Sequence, residues 1–72
     1  MYRLIIYAVN IDGTIYRQFT ETKKNDKDLI NTLNYYKCKN DLSCLNKPGD
    51  MNLFLGEYVT PGVKVEIHVI KI

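Results

Sequence analysis

The sequence predicts a single α+β domain, residues 1–72, in which one helix crosses a four-stranded mixed sheet in the order ββαββ. Apolar residues alternate with polar ones in the last strand-like segment, and both faces of the first hairpin are apolar. An apolar stripe with helical spacing lies between the two hairpins. The composition is 46% hydrophobic and 25% charged, which is typical of a globular chain.

The first hairpin runs from Tyr2 to Thr20 around Asp12-Gly13, a dipeptide that favours a two-residue turn. This turn predicts Ile6 opposite Phe19, Tyr7 opposite Gln18 and Val9 opposite Tyr16. Alternation then places one apolar set on each side: Leu4, Ile6, Ala8, Ile15 and Phe19 on the first, and Ile5, Tyr7, Val9, Ile11 and Tyr16 on the second. Because a half-exposed sheet is usually polar on one side, the second side is expected to need a partner.

A helix is predicted after a polar connection that covers residues 21–24. Asn25 or Asp26 is the expected N-cap, and Asp28 lies in the first turn, where a carboxylate is favourable. The apolar stripe consists of Leu29, Ile30, Leu33 and Tyr36. The helix is expected to end around Asn40.

The second hairpin is predicted to contain strands at residues 53–59 and 63–72, joined at Thr60-Pro61-Gly62. Before it, residues 41–52 form a connection with a turn at Pro48-Gly49-Asp50, and Leu42 and Leu45 are expected to anchor this connection. The last strand has a clear inner side, made of Val63, Val65, Ile67 and Val69.

This order of elements resembles the β-grasp architecture of ubiquitin-like proteins and of small immunoglobulin-binding domains of bacterial surface proteins. The opening Tyr2-Arg3-Leu4-Ile5-Ile6, the short hairpin and the central helix are most similar to the second family. The resemblance implies that the first and last strands lie side by side in the centre, parallel to each other. Antibody binding is not expected, since those domains use a Trp anchor and this chain has no Trp.

The net charge and the absence of membrane and targeting patterns indicate where the protein is expected to act. The formal net charge is +2, and the sequence has no run of about 18 apolar residues and no signal-peptide pattern. We therefore expect a cytoplasmic protein with no membrane association. Cys38 and Cys44 are expected to be free thiols, with a disulfide or a metal site as alternatives.

One group of residues has a catalytic composition. A two-residue Pro61-Gly62 loop would place Glu57 opposite Glu66, with His68 nearby, and such a group can bind a metal or transfer protons. The simpler interpretation is a pair of exposed carboxylates with mild repulsion. We expect no enzyme activity, no metal and no cofactor.

The tyrosines favour a binding role, because Tyr is enriched at protein interfaces. The expected function is a non-enzymatic protein-binding module, an inhibitor or adaptor encoded by a phage or mobile element. Its interface would consist of Ile5, Tyr7, Val9, Tyr16 and Gln18, or of the open edge at residues 14–20. Two alternatives are a homodimer through the same surface and a nucleic-acid-binding protein that uses Arg17, Lys23, Lys24 and Lys27. The rings can also simply shield aliphatic neighbours.

Overall fold

Two β-hairpins and one helix make up the computed structural model, which describes residues 1–72. The elements are β1 (Tyr2–Asn10), β2 (Ile15–Lys23), α1 (Asp26–Tyr35), a short 3₁₀ helix (Leu42–Cys44), β3 (Met51–Glu57) and β4 (Val63–Lys71). The four strands form one open sheet in the order β2-β1-β4-β3. The predicted α+β class and the ββαββ order are therefore confirmed.

The direction of the central pair differs from the expectation. β1 and β4 are antiparallel, with Ile6 opposite Ile67, and the two outer pairs are antiparallel as well. The predicted mixed sheet, with parallel central strands as in the β-grasp architecture, is wrong.

The segment between α1 and β3 explains this direction. The helix begins beside the start of β1, where the Tyr2 hydroxyl donates a hydrogen bond to the Asp26 carboxylate. Its 10 residues carry the chain about 15 Å towards the other end of the sheet. Residues 37–50 then return to the first end, where the Gly49 N–H donates to the Lys71 carbonyl at 2.8 Å. β3 therefore starts at the same end as β1, which makes β4 antiparallel to β1.

The core lies between the sheet and the layer formed by α1 and the returning connection. The predicted inner residues of β1 and β4 are buried, and so are three members of the helix stripe. Cys38 and Leu45 of the connection complete this layer. The buried core cluster comprises Tyr2, Leu4, Ile6, Leu29, Leu33, Tyr36, Cys38, Leu45, Phe54, Val65, Ile67 and Val69.

The first hairpin has a longer loop than predicted. The Asn10 N–H donates to the Thr14 carbonyl at 2.9 Å, and Gly13, with φ +88°, takes the left-handed conformation that glycine permits. Thr14 donates to the Asp12 carboxylate through its backbone N–H and its hydroxyl, which lowers the pKa of Asp12. The turn thus contains three residues, at positions 11–13, instead of two.

A β-bulge compensates for the extra loop residue. Ala8 lies opposite Arg17, but Val9 lies opposite Ile15, so Tyr16 is an additional residue on β2. The predicted pairs Ile6–Phe19 and Tyr7–Gln18 are consequently correct, whereas Val9–Tyr16 is wrong. β2 also continues to Lys23, through residues that were expected to form a connection.

The helix ends five residues before the predicted boundary. Its N-cap is Asn25, whose side-chain oxygen accepts from the Asp28 N–H at 2.9 Å. At the other end, Lys37 has φ +56°, and the Cys38 N–H donates to the Leu33 carbonyl at 2.9 Å. This is a Schellman motif with lysine in the left-handed position, where glycine is the usual residue.

Lys37→Gly is expected to raise the free energy of unfolding by about 0.5 to 1 kcal/mol, since a left-handed conformation is costly for an L-residue but not for glycine. The ion pair that it removes, Lys37 with Glu57 at 3.5 Å, is exposed and contributes little. Urea denaturation measures the change. Lys39→Gly is the control, because it removes the same charge without relieving a positive φ, and it is expected to be neutral or destabilising. A loss of stability in Lys37→Gly would contradict the prediction.

The hydrogen bond between Tyr2 and Asp26 makes stability sensitive to alkaline pH. This bond is the main cause that raises the pKa of Tyr2 above its ordinary value of 10.0, and burial adds to it. A group whose pKa is higher in the folded state stabilises the fold below its unfolded pKa, and this stability is lost as the pH rises through the folded pKa. The melting temperature of the wild type should therefore fall as the pH rises above about 10, and that of Tyr2→Phe should fall less. Parallel curves for both proteins would show that Tyr2 does not contribute.

Candidate functional site

The side of the sheet opposite α1, which we call the outer face, is covered by no other part of the chain. Cross-strand pairing places Tyr7, Glu66 and Leu55 in one row and Ile5, His68 and Leu53 in the next. The apolar members of the outer face are Ile5, Tyr7 and Val9 on β1, Ile15 on β2, Met51, Leu53 and Leu55 on β3, and Ile70 on β4. Ile15 was predicted on the inner side, and this is wrong because the bulge places it opposite Val9.

The two edge strands carry the most exposed apolar groups of this face. Met51 is 64% exposed, Leu55 61% and Leu53 44% on β3, and Ile15 is 59% exposed on β2. Tyr7 is half-buried and meets the His68 ring edge-on, with the ring centroids 5.4 Å apart. The outer face therefore has an apolar strand at its β3 edge and a second apolar column on β1.

Polar side chains of β4 separate these two columns. Between Val9 and Leu55 lies a shallow cavity of about 250 Å³, and Lys64 and Glu66 are also part of its lining. It offers two apolar walls, one cation and one carboxylate. Such a cavity fits a single apolar side chain of a partner, with hydrogen-bonding groups at the rim.

The structure places four of the five predicted interface residues on the outer face. Ile5, Tyr7 and Val9 lie there with Gln18, which is opposite Tyr7. Tyr16 does not. Its ring lies 6.3 Å from the Tyr58 ring, on the helix side of the sheet. The predicted placement of Tyr16 beside Tyr7 is wrong because the bulge interrupts the alternation of β2.

Four tyrosines instead form a continuous row on the helix side. The Tyr58 ring stacks on Tyr36 with the centroids 6.2 Å apart, and Tyr35 meets Tyr36 edge-on at 4.9 Å. Tyr16 extends the row at the Tyr58 end. Burial is the main cause that raises the pKa of Tyr36. Of these four rings, only that of Tyr36 is buried in the core, whereas Tyr16 and Tyr35 are 54% and 70% exposed.

The contribution of β3 to the outer face was not predicted from the sequence. The strand was predicted at residues 53–59, two residues later than the observed Met51–Glu57. The alternation of Met51, Leu53 and Leu55 around Asn52 and Phe54 was the available signal. This alternation is difficult to recognise because the inner side of the strand is not uniformly apolar: it carries Asn52 and Gly56 as well as Phe54.

The suspected carboxylate group does not assemble. Five residues separate the strands of the second hairpin, so Glu57 lies opposite Lys64 and Glu66 lies opposite Leu55. The predicted pairing of Glu57 with Glu66 is wrong. No group of three or more His, Cys, Asp or Glu side chains has the arrangement needed to hold a metal ion.

Neither cysteine is bonded to the other. Cys38 is buried in the core, and desolvation raises the pKa of its thiol. Cys44 is exposed, donates a hydrogen bond to the Asp41 carbonyl and accepts one from the Asn52 side chain. A buried thiol with a raised pKa is a poor nucleophile, so Cys38 acts as a core residue.

The basic residues of the nucleic-acid alternative lie among acidic ones. Lys23 and Lys24 line an open groove of about 590 Å³ between β2 and α1, together with Glu21 and Asp28. Lys23 is also paired with Glu21 at 3.7 Å. Arg17 lies over the Phe19 ring, 5.8 Å from its centroid. Lys27 is exposed in the first turn of α1. The mixture of signs reduces the positive potential that a phosphate backbone requires.

Comparisons with known protein families, with curated proteins and with solved structures gave no match. The only α-helix, α1, is too short and too polar to span a bilayer.

Proposed function

We propose that this chain is a non-enzymatic protein-binding module whose working surface is the outer face. The observation that carries the proposal is the exposure of Met51 and Leu55, at 64% and 61%, beside the half-buried Tyr7 and Val9 on an uncovered sheet face. Exposed apolar side chains on an uncovered sheet face, here in two columns on either side of β4, usually mark an interface in a small protein.

The partner that suits this face is a protein with an apolar anchor side chain. The cavity between Val9 and Leu55 accepts the anchor, and Lys64 and Glu66 at its rim can pair with polar groups around it. Anchors of this type carry most of the binding energy at protein interfaces, while the polar rim gives orientation.

The biological role that we propose is that of a cytoplasmic inhibitor or adaptor encoded by a phage or mobile element. Its support is the small size of the chain and a residue choice rich in Asn, Ile, Lys and Tyr, which AT-rich genomes favour. Nucleic-acid binding is the less favoured alternative, because Lys23 and Lys24 share their groove with two carboxylates.

Leu55→Asp is expected to weaken binding of the partner by about 2 kcal/mol or more, since it places a charge in the proposed anchor cavity. Val59→Asp is the matched control, because Val59 is 79% exposed in the loop after β3 and is not in the outer face. Both variants should keep the wild-type melting temperature within a few degrees. The experiment is affinity capture from a lysate of the source cells, followed by titration of the captured protein against each variant.

The comparison between variants decides the outcome. A protein that binds the wild type and Val59→Asp with equal affinity, and Leu55→Asp at least about 30-fold more weakly, supports the outer face as the interface. Equal affinity for all three would contradict it.

A further inference from the structure

β2 is the open edge of the sheet. It pairs with β1 on one side, and no hydrogen bond from the rest of the chain reaches its other side. The opposite edge strand, β3, is partly occupied, because the Glu57 N–H donates to the Tyr36 carbonyl at 2.7 Å. A free edge of nine residues is a template for a further strand.

The charge pattern of β2 is complementary to itself. Arg17, Phe19 and Glu21 share the helix side of the sheet, since they lie opposite three buried residues of β1. When a second copy of β2 is placed antiparallel, with Phe19 opposite Phe19, each Arg17 lies opposite Glu21 of the other copy. Opposite charges and aromatic pairs are both favourable in cross-strand positions.

Neighbouring registers lack this match. A two-fold axis perpendicular to the sheet keeps the helix side of both copies on the same side, so the axis must pass between two identical residues. An axis at Thr20 places Arg17 opposite Lys23, which is repulsive. An axis at Gln18 places Arg17 opposite Phe19 and leaves Glu21 opposite Ile15. The register centred on Phe19 is thus the one that pairs every charge of the segment 17–21.

The middle of β2 lies away from the helix. The open groove of about 590 Å³ between β2 and α1 is lined on the strand side by residues 21–24, and Arg17 and Phe19 are not part of its lining. Phe19 is only half-buried, and the Arg17 guanidinium already lies over its ring, 5.8 Å from the centroid. In a dimer, the Phe19 ring of the second copy would cover the part of this ring that is exposed in the single chain.

We propose that this chain forms a homodimer through antiparallel pairing of β2 with β2 of a second copy, centred on Phe19 and held by two Arg17–Glu21 pairs. The two sheets then join into one continuous eight-stranded sheet with both helices on the same side. This surface is separate from the outer face, so the dimer does not depend on the proposed function.

Charge reversal tests the register. Sedimentation equilibrium of the wild type should show a reversible dimer. Arg17→Glu and Glu21→Arg each create two like-charge pairs across the axis and should raise the dimer dissociation constant at least about tenfold. The double variant Arg17→Glu/Glu21→Arg should restore dimerisation. An equimolar mixture of the two single variants should form a heterodimer, because every pair in it is again opposite in charge.

Two controls distinguish the loss of the Arg17–Glu21 pairs from other causes of weaker dimerisation. Lys39→Glu makes the same change in net charge as Arg17→Glu at an exposed position outside the sheet, and it should dimerise as the wild type does. Circular dichroism verifies that the single variants are folded, and heterodimer formation verifies it independently. A monomeric wild type, single variants that dimerise normally, or a double variant that stays monomeric would each overturn the proposal.

Discussion

Leu33→Ala is expected to lower the free energy of unfolding by about 2 to 5 kcal/mol, as large-to-small substitutions in protein cores do. Leu33 is fully buried on α1, within the cluster that joins the helix to β1 and β4. A domain of this size has a total stability of about 5 kcal/mol, so about 0 to 3 kcal/mol should remain, and between about 1% and about half of the variant should be unfolded at room temperature. Urea denaturation followed by circular dichroism measures the difference.

Asn31→Ala is the matched control for this substitution. Asn31 lies on the same helix, is exposed and makes no hydrogen bond through its side chain within the chain. Its replacement should change stability by less than about 0.5 kcal/mol. Similar losses in both variants would mean that the side of α1 that faces the sheet is assigned incorrectly.

Gly56→Ala is expected to destabilise the protein by about 3 kcal/mol or more, because the site has no room for a methyl group. A Cβ atom there would overlap the Tyr36 carbonyl oxygen and lie 2.6 Å from Cys38 Sγ. The carbonyl belongs to the backbone hydrogen bond that attaches the end of the helix to β3, through the Glu57 N–H. The substitution must therefore displace the segment after α1 or break that bond.

Gly13→Ala provides the comparison. Gly13 also has a special backbone role, with φ +88°, but a Cβ at this position meets no atom within 4 Å. Its replacement should cost only about 1 kcal/mol, the price of a left-handed alanine. If Gly56→Ala were as mild as Gly13→Ala, the close contact between the helix end and β3 would not exist in solution.

Local patterns in the sequence predicted the elements and their inner sides. The alternation of Val63, Val65, Ile67 and Val69 is buried as expected, and the spacing of the helix stripe identified Leu29 and Leu33 correctly. Each of these patterns reflects the burial of one face of a short segment. The spacing of apolar residues along that segment therefore predicts the face directly.

The direction of β3 and β4 could not be predicted from local patterns, because it depends on the path of residues 37–50. The helix ends at a left-handed Lys37, which lacks the usual glycine signal, and it was therefore extended to Asn40. The parallel direction of the central strands was expected only from the resemblance to the β-grasp architecture. The antiparallel central pair follows from the earlier turn.

The candidate site was predicted in part for a similar reason. Ile5, Tyr7 and Val9 were placed on the outer face from the regular alternation of β1. Tyr16 was misplaced because a bulge leaves no distinct mark in the sequence, and the three exposed β3 residues were missed because the boundaries of that strand were two residues late. Errors of one or two residues in register change the face that a side chain occupies.

The position of β4 in the sheet has a consequence for how this protein is made. β4 is the last strand in sequence, yet it lies between β1 and β3 and supplies three fully buried core residues, Val65, Ile67 and Val69. During synthesis, the edge of β1 that does not pair with β2 stays open until β4 has left the ribosome. Folding that depends on such distant pairing is slow, and the waiting hairpin is prone to aggregate. We expect yields in cells to depend on translation rate and on chaperones that shield β1.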